Sequence, residues 1–213
     1  MKNKAVITCD IIGSRKYSSE DRKRVNLLLK EGFAECCKLV PEAKVNKLSF
    51  NIVQGDEFQF LLDRPKYSYE FIINYRLILS QSDISPIFRA SVGIGEVSVV
   101  DENTYQMDGE AFHRSRNGVE MFKLKKYSNR LTYIDYKVRK NKHFDMALKY
   151  QDSIELSWSK KQKEAIYWYL NGLTFKEIAE KINISFQAVG KRVYNSNLLL
   201  FEKGIEYIGS MIK

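Results

Sequence analysis

Val53-Gln-Gly-Asp-Glu-Phe-Gln-Phe60 constrains the fold of this chain more than any other stretch. A β-rich run, Leu48 to Val53, leads into it, and a second, Phe58 to Leu62, leads out. Gly55-Asp56 between two such runs is a strong hairpin signal, because both residues accept tight-turn backbone angles. Asp56 and Glu57 place two carboxylates in series, and their repulsion is costly unless a cation or a solvated loop absorbs it. The stretch is therefore either a polar turn or half of a metal site, and the other half must be sought elsewhere.

Ala5 to Ile12 supplies a candidate. The run is short, continuous and β-branched, as expected of a central strand buried on both faces. Asp10 is costly inside such a run unless it lies at the strand end with a partner. Downstream, Ser18 or Ser19 caps a helix with Glu20 and Asp21 in its first turn. Val25, Leu28, Leu29, Phe33, Cys36 and Cys37 then recur at helical spacing up to Pro41. After the hairpin, Tyr67 to Leu79 reads as an amphipathic helix that ends before Pro86. Ile87 to Val100 alternates as one long strand, with Gly93 and Gly95 marking a close backbone approach or a bulge. Asp108 to Leu124 is helical by pattern, and Leu131 to Ile134 is a short last strand. The class is α+β. The order β-α-β-β-α-β is that of the ferredoxin-like split arrangement, which puts the first strand beside the strand leaving the hairpin. Asp10 would then lie near Asp56.

A chain of 213 residues with 44% apolar and 13% aromatic content can bury one large core or two smaller ones. Its net charge of +9 points to a polyanionic partner such as nucleic acid, nucleotide or anionic lipid. The stretch Arg114 to Lys149 is the most basic, and reads as either a solvated face or linker, or a phosphate-contacting surface. Tyr136 to Asp152 is polar and weakly periodic. The expected division is a first domain over 1–138, a linker over 139–153 and a second domain over 154–213.

Three cysteines without a C-x-x-C spacing make neither a disulfide framework nor a zinc site, and each reads as an inert thiol. Asp10 interrupts the N-terminal apolar run, so it is a strand and not a signal peptide. No stretch has the length of a membrane span. The expected location is cytoplasmic.

The C-terminal segment is helical throughout. Ser157 and Ser159 are candidate caps, Asn171-Gly172 stops one helix, and Thr174 with Glu177 forms a capping box for the next. Asn183 turns the chain and Ser185 caps a further helix. Thr174 to Val193 resembles the helix-turn-helix of bacterial regulators and sigma factors: Ala179 allows a close crossing, while Ile178, Ile182, Ile184 and Val189 seal a small core. The resemblance implies either DNA binding or a role in packing and dimerisation. In the first case Phe186, Gln187, Gly190, Lys191 and Tyr194 face the major groove, and Lys176 and Arg192 contact phosphate. Gln187 suits an adenine edge and Lys191 a guanine. So modestly basic a helix implies a homodimer as the competent form.

The N-terminal segment resembles the nucleotidyl-cyclase fold shared by class III cyclases and GGDEF domains. Asp10-Ile-Ile-Gly-Ser14 is similar to the D-I-x-G-S of the first cyclase strand, and Gln54-Gly-Asp-Glu-Phe58 to the GGDEF hairpin. Arg89 to Glu96 resembles the R-x-G-I-x-x-G-E strand, and Gly109 to Arg116 the start of the following helix. The likeness implies Mg²⁺ held by Asp10, Asp56 and the Ile11 carbonyl, with a nucleotide against Ile12, Gly13, Ser14, Gly55 and Glu57. In the cyclases that helix supplies an Asn and an Arg to the transition state. His113 and Asn117 hold those places here, leaving His113, Arg114 and Arg116 as substitute candidates. The whole chain resembles the bacterial SatD family. A DNA-binding regulator with a nucleotide-sensing or dimerising first domain is the expected function. A Mg²⁺-dependent nucleotidyl-transfer enzyme with an accessory helix-turn-helix is the alternative.

Overall fold

The computed structural model describes residues 3–54, 56–99, 107–127, 129–136 and 142–212. In chain order these form β1 (Lys4–Ile11), α1 (Ser19–Leu39), β2 (Val45–Gln54), β3 (Glu57–Leu62), α2 (Ser68–Leu79) and β4 (Phe88–Gly95). Two short strands, β5 (Ser98–Val99) and β6 (Met107–Asp108), precede α3 (Glu110–Met121) and β7 (Thr132–Asp135). The chain then continues as α4 (Lys142–Ser157), α5 (Lys160–Leu170), α6 (Phe175–Lys181), α7 (Phe186–Tyr194) and α8 (Leu198–Met211). The class is α+β. No helix among the described residues is long and apolar enough to cross a membrane.

Five strands make one sheet in the order β2-β3-β1-β4-β7, with β1 antiparallel to both β3 and β4, and β7 parallel to β4. The first strand does lie beside the strand that leaves the hairpin. Side chains alternate across a sheet, so its two faces have different chemistry. Ile7, Cys9, Phe58, Phe60, Phe88 and Val92 point to the core shared with α1 and α2. There Phe33, Phe60, Phe71 and Tyr75 form a ring cluster, with Phe33 and Phe60 centroids 5.3 Å apart. Each buried ring contributes roughly 1.5–3 kcal/mol of transfer free energy. The Tyr75 hydroxyl donates to the Leu29 carbonyl at 2.6 Å, so its burial leaves no orphan.

The opposite face is covered by α3. Thr8 donates to Ser115 of α3 at 3.0 Å and accepts from Gln59 at 2.7 Å. Gly93 makes this contact possible, because a Cβ there would collide with the Ala111 carbonyl oxygen and the Ser115 amide nitrogen. The expected strand Ile87–Val100 is therefore divided. Glu96 leaves the sheet and accepts from the Ala111 amide at 3.2 Å in the first turn of α3, and Ser98–Val99 pairs separately with Met107–Asp108. Val100 lies outside the described residues.

The linker expected over 139–153 is also corrected. Residues 142–153 are helical and belong to α4, which buries Phe144, Leu148, Gln151, Asp152 and Glu155. Residues 139–141 lie outside the described ones. The buried charges of α4 have partners: Glu155 meets Arg76 at 2.9 Å and Asp152 meets Arg130 at 2.8 Å. Arg76 also donates to the carbonyls of Phe88 (3.2 Å) and Leu131 (2.6 Å) and to Thr132 Oγ1 (3.1 Å). One buried cluster runs from Ile7 and Phe60 through Ile72 and Tyr75 to Trp158, Ile166, Val189 and Phe201.

The last helices begin where local chemistry dictates. Ser159 and Gln162 form a reciprocal capping box at α5, as do Thr174 and Glu177 at α6. Ser185 accepts from the Ala188 amide at the start of α7. Asn183 takes a left-handed φ of 52° in the turn between α6 and α7, a conformation that Asn tolerates better than most residues.

Candidate functional site

Asp10 is the last residue but one of β1, and the register places it opposite Glu57 on β3 and Arg89 on β4. The three make a charged row across the sheet. The row lies two residues along from Gln59-Thr8-Ser91, and therefore on the α3 face. Asp56 sits in the turn before β3. Its carbonyl accepts from the Ile11 amide at 3.1 Å, which ties the turn to the end of β1. Its carboxylate accepts a short hydrogen bond from the Ser14 hydroxyl. Gly13, at φ 74°, brings Ser14 round to make that bond, and the Ile12 amide is held by the Ile87 carbonyl at 2.8 Å.

The turn that carries Asp56 thus lies against the end of β1, where Asp10 stands. Burial, and then the Asp56 charge, push the Asp10 carboxyl above its ordinary value, with Arg89 and Lys123 pulling the other way. Ile11 is buried, Ile12 is exposed and Glu57 is half-buried. Gly55, a candidate for the nucleotide, lies outside the described residues. Among the described residues no group of three or more His, Cys, Asp or Glu side chains converges on a common point. Carboxylate oxygens are the donors that Mg²⁺ takes, so Asp10 and Asp56 are the residues here that could hold it.

A cavity of about 120 Å³ opens beside Asp56, on the α1 side, lined by Ile11, Ser14, Arg15, Arg22 and Asp56 among others. Arg15 and Arg22 were not anticipated as site residues. Arg15 was legible, since it directly follows the Asp10–Ser14 motif. Arg22 was not, because only the fold of α1 against the turn brings it there.

The three cationic candidates on α3 separate. Arg116 reaches Glu57 at 3.8 Å and so stands by the hairpin. Arg114 pairs with Glu110 of its own helix at 2.6 Å and donates to the Ile94 carbonyl. His113 Nε2 lies 3.3 Å from Asp108, on the exposed side.

A second surface is formed by α6 and α7. Ile178, Ala179, Val189 and Val193 turn inward, leaving Phe186, Gln187, Lys191 and Tyr194 exposed on the outer face of α7. Phe175 lies between the two exposed rings, 5.9 Å from Phe186 and 5.9 Å from Tyr194. Lys176 is exposed at the start of α6, whereas Gly190 is covered. Arg192 departs from its expected place on a phosphate. Its guanidinium turns back to α5, 3.0 Å from Glu164 and 3.4 Å from the Lys161 carbonyl, and the side chain is 19% exposed. The reason is helical phase: position 192 falls beside Val189 and Val193, at the edge of the inward face.

None of the curated proteins matches the chain. Among solved structures it is similar to a bacterial light-regulated adenylyl cyclase, at 13% identity and a TM-score of 0.41, over 66% of this chain and 79% of that one. The SatD family model matches residues 4–207, nearly the whole length, and the chain belongs to the SatD family.

Proposed function

We propose that the protein is a DNA-binding regulator whose N-terminal sheet binds a nucleotide with Mg²⁺. The observation that carries the DNA arm is the outer face of α7. A helix anchored on one side by Val189 and Val193 presents Phe186, Gln187, Lys191 and Tyr194 on the other. That is the disposition a recognition helix needs in a major groove. Gln187 matches an adenine edge, Phe186 a thymine methyl and Lys191 the O6/N7 edge of guanine. Lys176 is placed to contact phosphate. With Arg192 committed to Glu164, one copy offers few cations, so useful affinity requires a homodimer on paired half-sites.

Fluorescence anisotropy on a labelled duplex from the region upstream of its own gene tests this arm. Lys191→Ala is expected to weaken binding by about 1–3 kcal/mol and to relax the preference at one position. Lys176→Ala should lower the salt slope by about one, uniformly across sequences. Binding by Lys191→Ala that equals the parent across a salt series overturns the groove assignment.

For the nucleotide arm, Asp10 and Asp56 are the residues that would hold the metal, with Ser14 orienting the Asp56 carboxylate. Arg15 and Arg22 line the adjoining cavity and suit phosphate oxygens. Bound Mg²⁺ would supply neutralisation of phosphate charge. Each nucleoside triphosphate with Mg²⁺ is expected to be tested by thermal shift, and the responding one should lose its effect in Asp10→Ala. No shift with any nucleotide removes this arm and leaves the sheet as a scaffold or dimerising platform.

The second reading is nucleotidyl transfer, favoured by the same acid pair and by Arg116 beside Glu57. Against it, Arg114 and His113 are engaged with Glu110 and Asp108. Chromatography after incubation with each triphosphate and Mg²⁺ or Mn²⁺ distinguishes the two. A cyclic or oligomeric product that vanishes in Asp10→Ala selects the enzyme.

A further inference from the structure

Three aromatic rings stand together on the outer surface of α6 and α7. Phe175, the first residue of α6, is half-buried against the core, with its ring centroid 5.7 Å from that of Tyr169. Phe186 and Tyr194, the first and last residues of α7, flank it at 5.9 Å each, inclined to its plane by 58° and 79°. Phe175 is thus the floor of a slot, and the two rings of α7 rise steeply from it. Both are open to solvent, Phe186 at 55% exposure and Tyr194 at 65%.

The spacing of α7 builds this slot. Phe186, Gly190 and Tyr194 follow one another at one-turn intervals and share a face of the helix. Gly190 puts no side chain between the two rings, and a Cβ there would already lie 3.7 Å from ring atoms of both Phe175 and Tyr194. The helical rise sets the two walls about 12 Å apart along the axis. Stacked bases repeat at about 3.4 Å along a strand, so two of them fit between the walls, each covered on its outer face by a ring. The frame is fixed, because Ser185 caps α7 beside Phe186 while Val189 and Val193 are held in the core.

Charge decides what the slot takes. Lys176 follows Phe175 and Lys191 follows Gly190; both are exposed, and neither ammonium has a hydrogen bond or ion pair among the described residues. Rings interleaved with uncommitted cations suit a strand whose bases stack while its phosphates meet the lysines. An apolar protein partner would bury those charges without counter-ions. In a closed duplex every base face is covered by its neighbours, which leaves both ring faces of α7 without a stacking partner.

We propose that the outer face of α7 takes unpaired DNA bases, two of them stacked between Phe186 and Tyr194 over Phe175. This preference rests on the reading of α7 as a DNA-binding helix, and it singles out sites where a strand leaves the duplex.

Fluorescence anisotropy on the full-length protein compares the duplex from upstream of its own gene with the same duplex carrying a two-thymine bulge. The bulged form is expected to bind about tenfold more tightly. Phe186→Ala/Tyr194→Ala should bring that ratio to about one, whereas Phe186→Tyr/Tyr194→Phe, which keeps both rings, should preserve it. Lys191→Ala should weaken both DNAs and leave the ratio standing. A 2-aminopurine placed in the bulge should lose fluorescence on binding the parent and retain it with the double alanine variant. Equal affinity of the parent for the two DNAs, or a preference that survives in the double alanine variant, overturns the slot and leaves duplex recognition intact. Failure to bind either DNA overturns the DNA reading of α7 and the slot with it.

Discussion

Single atoms decide how closely α3 lies on the sheet. A Cβ at Gly93 would meet backbone atoms of Ala111 and Ser115, which cannot rotate away. Gly93→Ala is therefore expected to destabilise the protein by about 3 kcal/mol in urea unfolding, the upper end for an overpacked core. Gly190 provides the contrast, because its Cβ would meet Phe175 and Tyr194 at 3.7 Å, an ordinary contact distance. Gly190→Ala gains helix propensity without a clash, and should stabilise by about 0.5–1 kcal/mol. The two outcomes differ in sign, and a common effect would show that contact distance is not what controls them. The sequence marks Gly93 as a position of close approach, since glycine is unusual in a strand interior. It does not reveal Arg89 as the cross-strand neighbour of Asp10, because that pairing depends on the register of β1 with β4.

Elements were legible in proportion to how local their causes are. The start of α6 is readable because Thr174 and Glu177 lie three residues apart and satisfy each other's backbone groups. Thr174→Ala is expected to lower stability by about 1 kcal/mol. The Glu177 carboxyl is lowered below its ordinary value by the backbone amide of Thr174 and then by its hydroxyl. A depressed carboxyl stabilises the fold above its unfolded pKa, and that stabilisation is lost as pH falls through the folded value. Glu177→Gln keeps the capping geometry without the charge. The advantage of the parent over this variant should thus be constant at neutral pH and disappear on acidification through the lowered Glu177 value, below the ordinary Glu range. A difference that persists undiminished in acid would assign the effect to shape alone. The opposite case is α4. Its inward positions Phe144, Leu148, Gln151, Asp152 and Glu155 have helical spacing, but three of the five are polar. Hydrophobic periodicity is blind to a helix that buries ion pairs, which is why the segment reads as a linker. Its partners Arg76 and Arg130 lie far back in the sequence, Arg76 by 79 residues, and nothing local announces them.

Across the whole molecule, those ion pairs determine whether the chain behaves as two units or one. Arg76 and Glu155 are 6% and 5% exposed, so each charge depends on the other to remain inside. Arg76→Met leaves Glu155 buried without its guanidinium and is expected to cost about 3–5 kcal/mol, and Glu155→Met should cost about as much for the converse reason. Replacing both by Met removes the charges together, so the double variant should lose far less than the sum of the singles. A sum that is simply additive would mean that the pair is not coupled and that Phe88, Leu131 and Thr132 alone hold Arg76. The same joint makes a prediction about cooperativity. Both tryptophans belong to the C-terminal part, Trp158 between α4 and α5 and Trp168 in α5, whereas β1 is at the centre of the sheet. Because one buried cluster spans both parts, tryptophan fluorescence and amide exchange in β1 should report the same urea midpoint in the parent protein. In Arg76→Met the midpoints should separate, the helices opening first, since α4 then carries an unpaired carboxylate against the sheet. Coincident midpoints in both proteins would place the coupling in the apolar cluster, and separate midpoints in the parent would make the helices an independently folding unit.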